Sequence, residues 1–208
     1  MTTRSDRGHR VFATLYDRLG APVERTVLGP IRSELVGPLT GAVLDVGAGT
    51  GANLRHFRHA TRVVAAEPDP AMRRKLTGCL DEAGVPVEVS DAGAEALPFP
   101  DAAFDAVVFT LVLCTVGDPD GALAEARRVL RPGGALVVLE HVRGHGRHAR
   151  WQERVAPVWK RVMAGCHLDR DTAAAVRSAG FAPDHEERFT IPPSWNPPSP
   201  MLRLTATR

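Results

Sequence analysis

The stretch Leu44-Asp45-Val46-Gly47-Ala48-Gly49-Thr50-Gly51 ends an apolar run that starts at Ala42. A short apolar run closed by glycines reads as a buried strand entering a turn. Glycines permit a tight turn and let a ligand approach the backbone. The GxGxG spacing departs from the GxGxxG fingerprint of dinucleotide enzymes, and a plain strand-to-helix turn would also account for it. Working outward, Val63 to Ala66 reads as a second strand and ends at Glu67, twenty-two residues after Asp45. An acid at that place suits the two hydroxyls of a ribose. Nicotinamide enzymes share this much, so a dehydrogenase stays open on these two elements alone.

The alternation continues. Expected elements are a helix over Ala52–Arg58, a helix over Pro70–Ala83 stopped by Gly84, and strands over Val85–Val89 and Ala106–Phe109. Leu123, Ala126 and Leu130 share a helical face, and Pro132-Gly133-Gly134 should stop that helix before a strand over Ala135–Glu140. A helix over Trp151–Met163 should be interrupted by Pro157. Asp169 could cap a helix over Arg170–Ala179, and Arg188–Ile191 and Met201–Ala206 are the last strands. Upstream, Val11, Leu15 and Leu19 with Phe12 and Tyr16 suggest a short amphipathic helix, and a second spans Val23–Val36 with Pro30 as a break. Seven short strands alternating with helices imply an α/β, Rossmann-like, doubly wound and mostly parallel sheet with helices on both faces. Ligands bind such sheets beyond the carboxyl ends of the strands, and the glycine loop and Glu67 both fall there.

The bulk composition narrows the classes. A formal net charge of +2 with acids and bases interspersed gives no support to a nucleic-acid partner. Cys79, Cys114 and Cys166 form no CxxC pair and lie far apart in sequence, so neither a metal site nor a disulfide framework is expected. Residues 1–10 are polar and basic, with no apolar run after them. The expectation is a cytoplasmic protein without a membrane segment. Nothing in the pattern specifies an oligomeric state.

Three further segments follow in order: Ala94-Glu95-Ala96-Leu97-Pro98-Phe99-Pro100-Asp101, Phe104-Asp105-Ala106-Val107-Val108, and Arg128-Val129-Leu130-Arg131-Pro132-Gly133-Gly134. With the glycine loop and Glu67, this set resembles the class I S-adenosylmethionine-dependent methyltransferases of the methyltransferase-11 type, over about Val43 to Glu140. The resemblance implies S-adenosyl-L-methionine as cofactor. It implies that Asp45, Gly47, Ala48, Gly49, Gly51 and Asn53 form the loop at the cofactor's amino-acid end, and that Glu67 takes the ribose hydroxyls. Pro68 and Met72 would flank the adenine, although core packing explains Met72 nearly as well. Gly93 stands where many relatives carry Asp, so Ala94 and Glu95 are the expected adenine contacts. Thr110 and Leu111 would line the pocket. Residues 1–40 are expected to be helices covering the active site, and 41–208 the methyltransferase core.

Leu111-Val112-Leu113-Cys114-Thr115-Val116, Glu140-His141-Val142 and Gly165-Cys166-His167-Leu168-Asp169-Arg170-Asp171-Thr172 are similar to a subfamily whose animal members include alkyl thiol methyltransferases. Those members carry an N-terminal hydrophobic membrane segment, which is not expected here. A small-molecule acceptor is implied, with a thiol ahead of oxygen, nitrogen or carbon, in natural-product tailoring or thiol detoxification. His141 and His167 are the candidate catalytic residues, as base or acceptor contact. A structural histidine explains either, and adjacent Cys166 and His167 side chains rarely point the same way. Trp151, Trp159 and Trp195 either wall the acceptor pocket or pack helices. Ionising a thiol of pKa about 8.5 at neutral pH costs only about 2 kcal/mol, whereas an aliphatic hydroxyl near 15.7 would cost roughly 12 kcal/mol. A chain with no strong base beyond the two histidines therefore suits sulfur.

Overall fold

The computed structural model describes residues 21–163 and 165–208. The amphipathic helix expected around Val11–Leu19 lies outside them. Seven strands form a sheet of order β3-β2-β1-β4-β5-β7-β6, the doubly wound, mostly parallel architecture the sequence implied. The chain divides into two compact units between Gly93 and Ala94.

In the first unit, a π-helical turn over Glu24–Leu28 runs into helix α1, Gly29–Val36. Pro30 sits in the first turn of α1, where its missing N–H costs nothing, so the expected break is a change of helix type. Strands β1 (Thr40–Val46), β2 (His59–Ala66) and β3 (Val87–Ser90) pair in parallel. Ala42 to Val46 is buried throughout, as a strand covered on both faces requires. Helix α2, Pro70–Thr77, is capped by Asp69, whose side chain accepts from the N–H groups of Ala71 and Met72. It is shorter than expected, and a separate 3-10 turn covers Leu80–Glu82.

The helix expected over Ala52–Arg58 is only a 3-10 turn, Leu54–His56. Asn53 is buried and turned inward, and Phe57 is already extended and buried, so no continuous helical face is left. The core beneath this loop is Ala48, Leu54, Ala65 and Leu76.

In the second unit, β4 (Phe104–Thr110) pairs in parallel with β5 (Leu130–His141), and β7 (Pro200–Thr207) pairs antiparallel with β5 and with β6 (Ala182–Thr190). Helix α3, Pro119–Val129, ends before the expected stop at Pro132-Gly133-Gly134, and Leu130, expected on its face, already begins β5. Pro132-Gly133-Gly134 forms an irregularity within it, since pairing jumps from Phe104–Leu130 to Ala106–Ala135. Helix α4, Gly146–Val162, starts earlier than expected and runs through Pro157. The carbonyl that Pro157 leaves unmatched is that of Glu153, an exposed residue. Helix α5, Thr172–Ser178, is capped by Asp171 rather than Asp169. Arg170 is drawn away to the carbonyls of Leu113 and Val116 and stays outside the helix. No described helix is long and apolar enough to cross a membrane.

Gly51 has φ +94°, and a Cβ there would lie 3.2 Å from methyl carbons of Leu54 and Leu76. Gly51→Ala is therefore expected to destabilise the protein by about 1–3 kcal/mol, measured as a lower urea midpoint at unchanged slope. An unchanged midpoint would contradict the loop geometry.

Candidate active site

In the first unit the glycine loop and the end of β2 are held by one carboxylate. Gly49 N–H donates to Glu67 Oε2 at 2.8 Å and Asp69 N–H donates to Oε1 at 2.8 Å. Burial pushes the Glu67 carboxyl above its usual range, and these two backbone donors oppose that. Each oxygen keeps a second lone pair, so two hydroxyl donors could still be accommodated. Arg73, which sequence reasoning missed, donates to the carbonyls of Glu67 and Pro68 at 2.6 and 3.0 Å and holds the segment in place. Pro68 itself is exposed, and Met72 is half-buried in the first turn of α2.

Asp45 is completely buried. Its Oδ1 accepts from Asn53 Nδ2 at 2.8 Å, and Arg32 Nη1 donates to Asn53 Oδ1 at 2.7 Å. Arg32 is paired in turn with Glu24 at 2.9 Å. Asn53 thus spends its amide bracing Asp45, and Arg32 is a second residue the sequence reading did not single out. Burial raises the Asp45 carboxyl to about 7, against the lowering effects of Asn53 and Arg32. Asp45 Oδ2 is buried with no hydrogen-bond donor. Gly49, at φ +60°, would place a Cβ near only Gly47 O at 3.9 Å, so the space before the loop is open. An orphaned buried acceptor, an open glycine loop and a carboxylate with spare lone pairs fit the ammonium and ribose groups of S-adenosylmethionine.

In the second unit the segment after β4 is clamped from two sides. Buried Glu140, at the end of β5, accepts the N–H groups of Val112, Leu113 and Cys114 at 2.6, 2.7 and 3.3 Å. Burial raises its pKa, and the Val112 and Leu113 N–H groups pull it back. Arg170 donates to the carbonyls of Leu113 and Val116. Leu111 stands at φ +61° and donates its N–H to Leu139 O at 2.8 Å. Positive φ at a residue without glycine's freedom is strain held by its surroundings. Thr110 and Ala94 are buried. Glu95 accepts from Gly117 and Asp118 N–H at 3.0 and 3.4 Å, so its carboxylate is committed to that loop.

Beside this segment the structure assembles a group that the sequence separates. His141 Nδ1 lies 3.9 Å from Cys114 Sγ and 3.8 Å from Cys166 Sγ. All three donor atoms lie within 4.8 Å of one another. Hydrogen bonding with Cys114 and with His141 pulls the Cys166 thiol down, while the Cys114 thiol is pushed up by its bond to Cys166 and by burial. The expectation that the cysteines lie apart, with no clustered metal ligands, is thereby corrected. Cys166 Sγ approaches His141 rather than its chain neighbour His167. The His167 ring nitrogen faces Asp169 at 3.8 Å, and its pKa is lowered by burial and then by Arg170. Trp151 and Trp195 are exposed, while Trp159 packs against Cys114, Cys166 and Leu168.

The Asp45 shift has a measurable sign. Below about pH 4 the carboxyl is protonated in folded and unfolded chains alike. Between there and about 7 the folded chain keeps a proton the unfolded chain has lost, so stability falls as pH rises through this window and levels off above it. Asp45→Asn should remove this contribution. Urea midpoints from pH 4.5 to 8 should show the variant gaining on the native chain as pH rises; parallel curves would contradict the assignment.

Comparison with known proteins agrees with this geometry. A family model described as a methyltransferase domain matches residues 44–138. Thiol S-methyltransferase TMT1B from Homo sapiens is 38% identical over 172 residues, 80% of this chain and 70% of that protein. Among solved structures, protein BH2331 of Bacillus halodurans C-125 matches with a TM-score of 0.71 at 18% identity, over 85% of this chain and 97% of that one. Geranyl diphosphate methyltransferase, solved in complex with S-adenosylmethionine, matches with a TM-score of 0.65 at 18% identity, over 86% and 83%. At such identities the two structures speak for the fold, and the sequence relatives speak for the family. The chain belongs to the class I S-adenosylmethionine-dependent methyltransferases of the methyltransferase-11 type.

Proposed function

We propose that this enzyme methylates the sulfur of a small thiol. The observation that carries the reading is the 38% identity to a thiol S-methyltransferase, which covers 80% of the chain and so reaches beyond the 44–138 cofactor domain. The low cost of ionising sulfur supports it, because a thiol asks little of a base.

S-adenosylmethionine supplies a methyl group already activated on a sulfonium sulfur. The chain's work is then to hold, align and exclude water. Asp45 is the counter-ion for the amino group, through the oxygen that has no donor. Glu67 holds the ribose while its bond to Gly49 keeps the loop closed under it. Glu140 and Arg170 fix the segment from Leu111 to Val116 by its own N–H and C=O groups, so the pocket wall does not have to reorganise during reaction. Alignment of this kind supplies roughly 7–11 kcal/mol. His141, beside the Cys114 and Cys166 sulfurs, is the histidine placed for the acceptor side of the site, whereas His167 faces Asp169.

Glu67→Ala should raise the KM for S-adenosylmethionine by about 10–100-fold, the worth of a charge-assisted hydrogen bond, with kcat at saturating cofactor changed only a few-fold. A large fall in saturated turnover with unchanged cofactor affinity would contradict the role.

The acceptor is tested with an alkyl thiol and its hydroxyl analogue in one pH–rate series. With the thiol, the rate at subsaturating acceptor should rise with pH and level off near the thiol's pKa in the site; the alcohol should react far more slowly. Equal or faster methylation of the alcohol, or of a matched amine or phenol, would contradict the thiol reading and leave the family assignment intact.

A further inference from the structure

Cys114, His141 and Cys166 come from three segments: the loop after β4, the end of β5, and the turn after α4. Both cysteines are buried and neither is in a disulfide. Leu168 and the half-buried Val155, Trp159 and Met163 pack around the two sulfurs. A tetrahedral zinc ion, with bonds of about 2.3 Å to sulfur and about 2.0–2.1 Å to nitrogen, sets a sulfur and a nitrogen ligand roughly 3.6 Å apart and two sulfurs about 3.8 Å apart. The observed sulfur–nitrogen separations of 3.9 and 3.8 Å are within a few tenths of an ångström of that. His141 turns the same atom, Nδ1, toward both sulfurs, which is the arrangement a shared ion needs. Two thiolates and an imidazole are a soft donor set.

We propose that Cys114, His141 and Cys166 bind one soft divalent ion of the zinc class through their two Sγ atoms and Nδ1, and that its fourth position takes the thiolate of the methyl acceptor. Among the described residues no further histidine, cysteine or carboxylate joins the group. Three protein ligands are the number found where a metal keeps an open position; closed structural sites use four. Trp159 Nε1 is buried beside the cluster and aims its N–H at the Cys166 sulfur, which favours a thiolate there.

The chemistry balances without an oxidant. Metal binding displaces the thiol protons of Cys114 and Cys166 to solvent, and coordination of the acceptor displaces its thiol proton likewise. The bound sulfur then forms its bond to the methyl carbon as the sulfonium carbon–sulfur bond breaks, and that electron pair stays on the cofactor's sulfur. The ion keeps its oxidation state throughout. The identity of the fourth ligand rests on the thiol reading of the proposed function; the three-residue site does not.

The test uses the full chain, reduced, stripped with a chelator and titrated with Co²⁺ as a coloured substitute for Zn²⁺. One cobalt per chain should bind, with sulfur-to-cobalt charge-transfer absorption and the visible bands of a tetrahedral centre, and Zn²⁺ should displace it. Adding an alkyl thiol should shift the visible bands; its hydroxyl analogue should not. Cys114→Ser and Cys166→Ser should each weaken binding by more than about a hundredfold, beyond the 10–100-fold typical of losing an outer partner. Should either variant fold poorly, His141→Ala must weaken binding while keeping the sulfur charge-transfer band. Absence of that band in the native reduced chain, or recovery of a Cys114–Cys166 disulfide two mass units lighter with no metal, would overturn the site. Bands indifferent to thiol would overturn the open position. A metal-free enzyme that methylates thiols at full rate would overturn the metal's role and leave the thiol reading standing. Cobalt bound in the predicted way by a chain that methylates only alcohols would sustain the three-residue site and overturn its assigned fourth ligand.

Discussion

A carboxylate taken out of water must be met by donors, or it gives up its charge. Among the described residues three buried acids, Asp45, Glu67 and Glu140, meet that constraint, and each fixes a loop at the end of a strand. Glu67 is met by Gly49 and Asp69, so the glycine loop is tied to the end of β2. Asp45 is met on one oxygen by Asn53, which Arg32 orients, and its other oxygen has no donor. Glu140 is met by three successive backbone N–H groups, and they hold the segment after β4 in a shape that includes a leucine at positive φ.

That division decides what could be read from the sequence. The central strands β1, β2 and β4 were readable, because each buries a run of four or five residues, nearly all apolar; β6, an exposed strand, begins at Ala182, six residues before the expected Arg188. The glycine loop and Glu67 were readable because their spacing is local. The long-range partners were not. Arg32 reaches Asn53 across 21 residues, and Arg170 reaches Val116 across 54; no period or motif marks such pairs. The same limit hid the cysteine–histidine group. Cys114 and Cys166 lie 27 and 25 residues on either side of His141, and only the pairing of β4 with β5 and the return of the chain after α4 bring them together. His167 looked as good a candidate as His141 from sequence; the fold separates them by sending one toward sulfur and the other toward Asp169.

The helix ends show a smaller version of the same competition. Asp169 and Asp171 are both acceptable caps by residue type. Asp171 takes the role because Arg170 is recruited to the Leu113 and Val116 carbonyls, so a contact needed to hold the active-site segment decides where a distant helix begins. Pro157 is the converse case. Its residue type argues for a break, yet α4 continues through it because the affected carbonyl faces solvent.

The central claim is that the activated methyl passes to sulfur. Its most direct measurement is a competition in one tube: the enzyme, S-adenosylmethionine carrying a deuterated methyl group, and equal concentrations of an alkyl thiol and the alcohol, amine and phenol of matched shape, analysed by mass spectrometry before the cofactor is consumed. Transfer to sulfur predicts that the deuterated methyl accumulates on the thioether and only in traces elsewhere. Label appearing mainly on oxygen, nitrogen or carbon, with the thiol recovered unchanged, would contradict it.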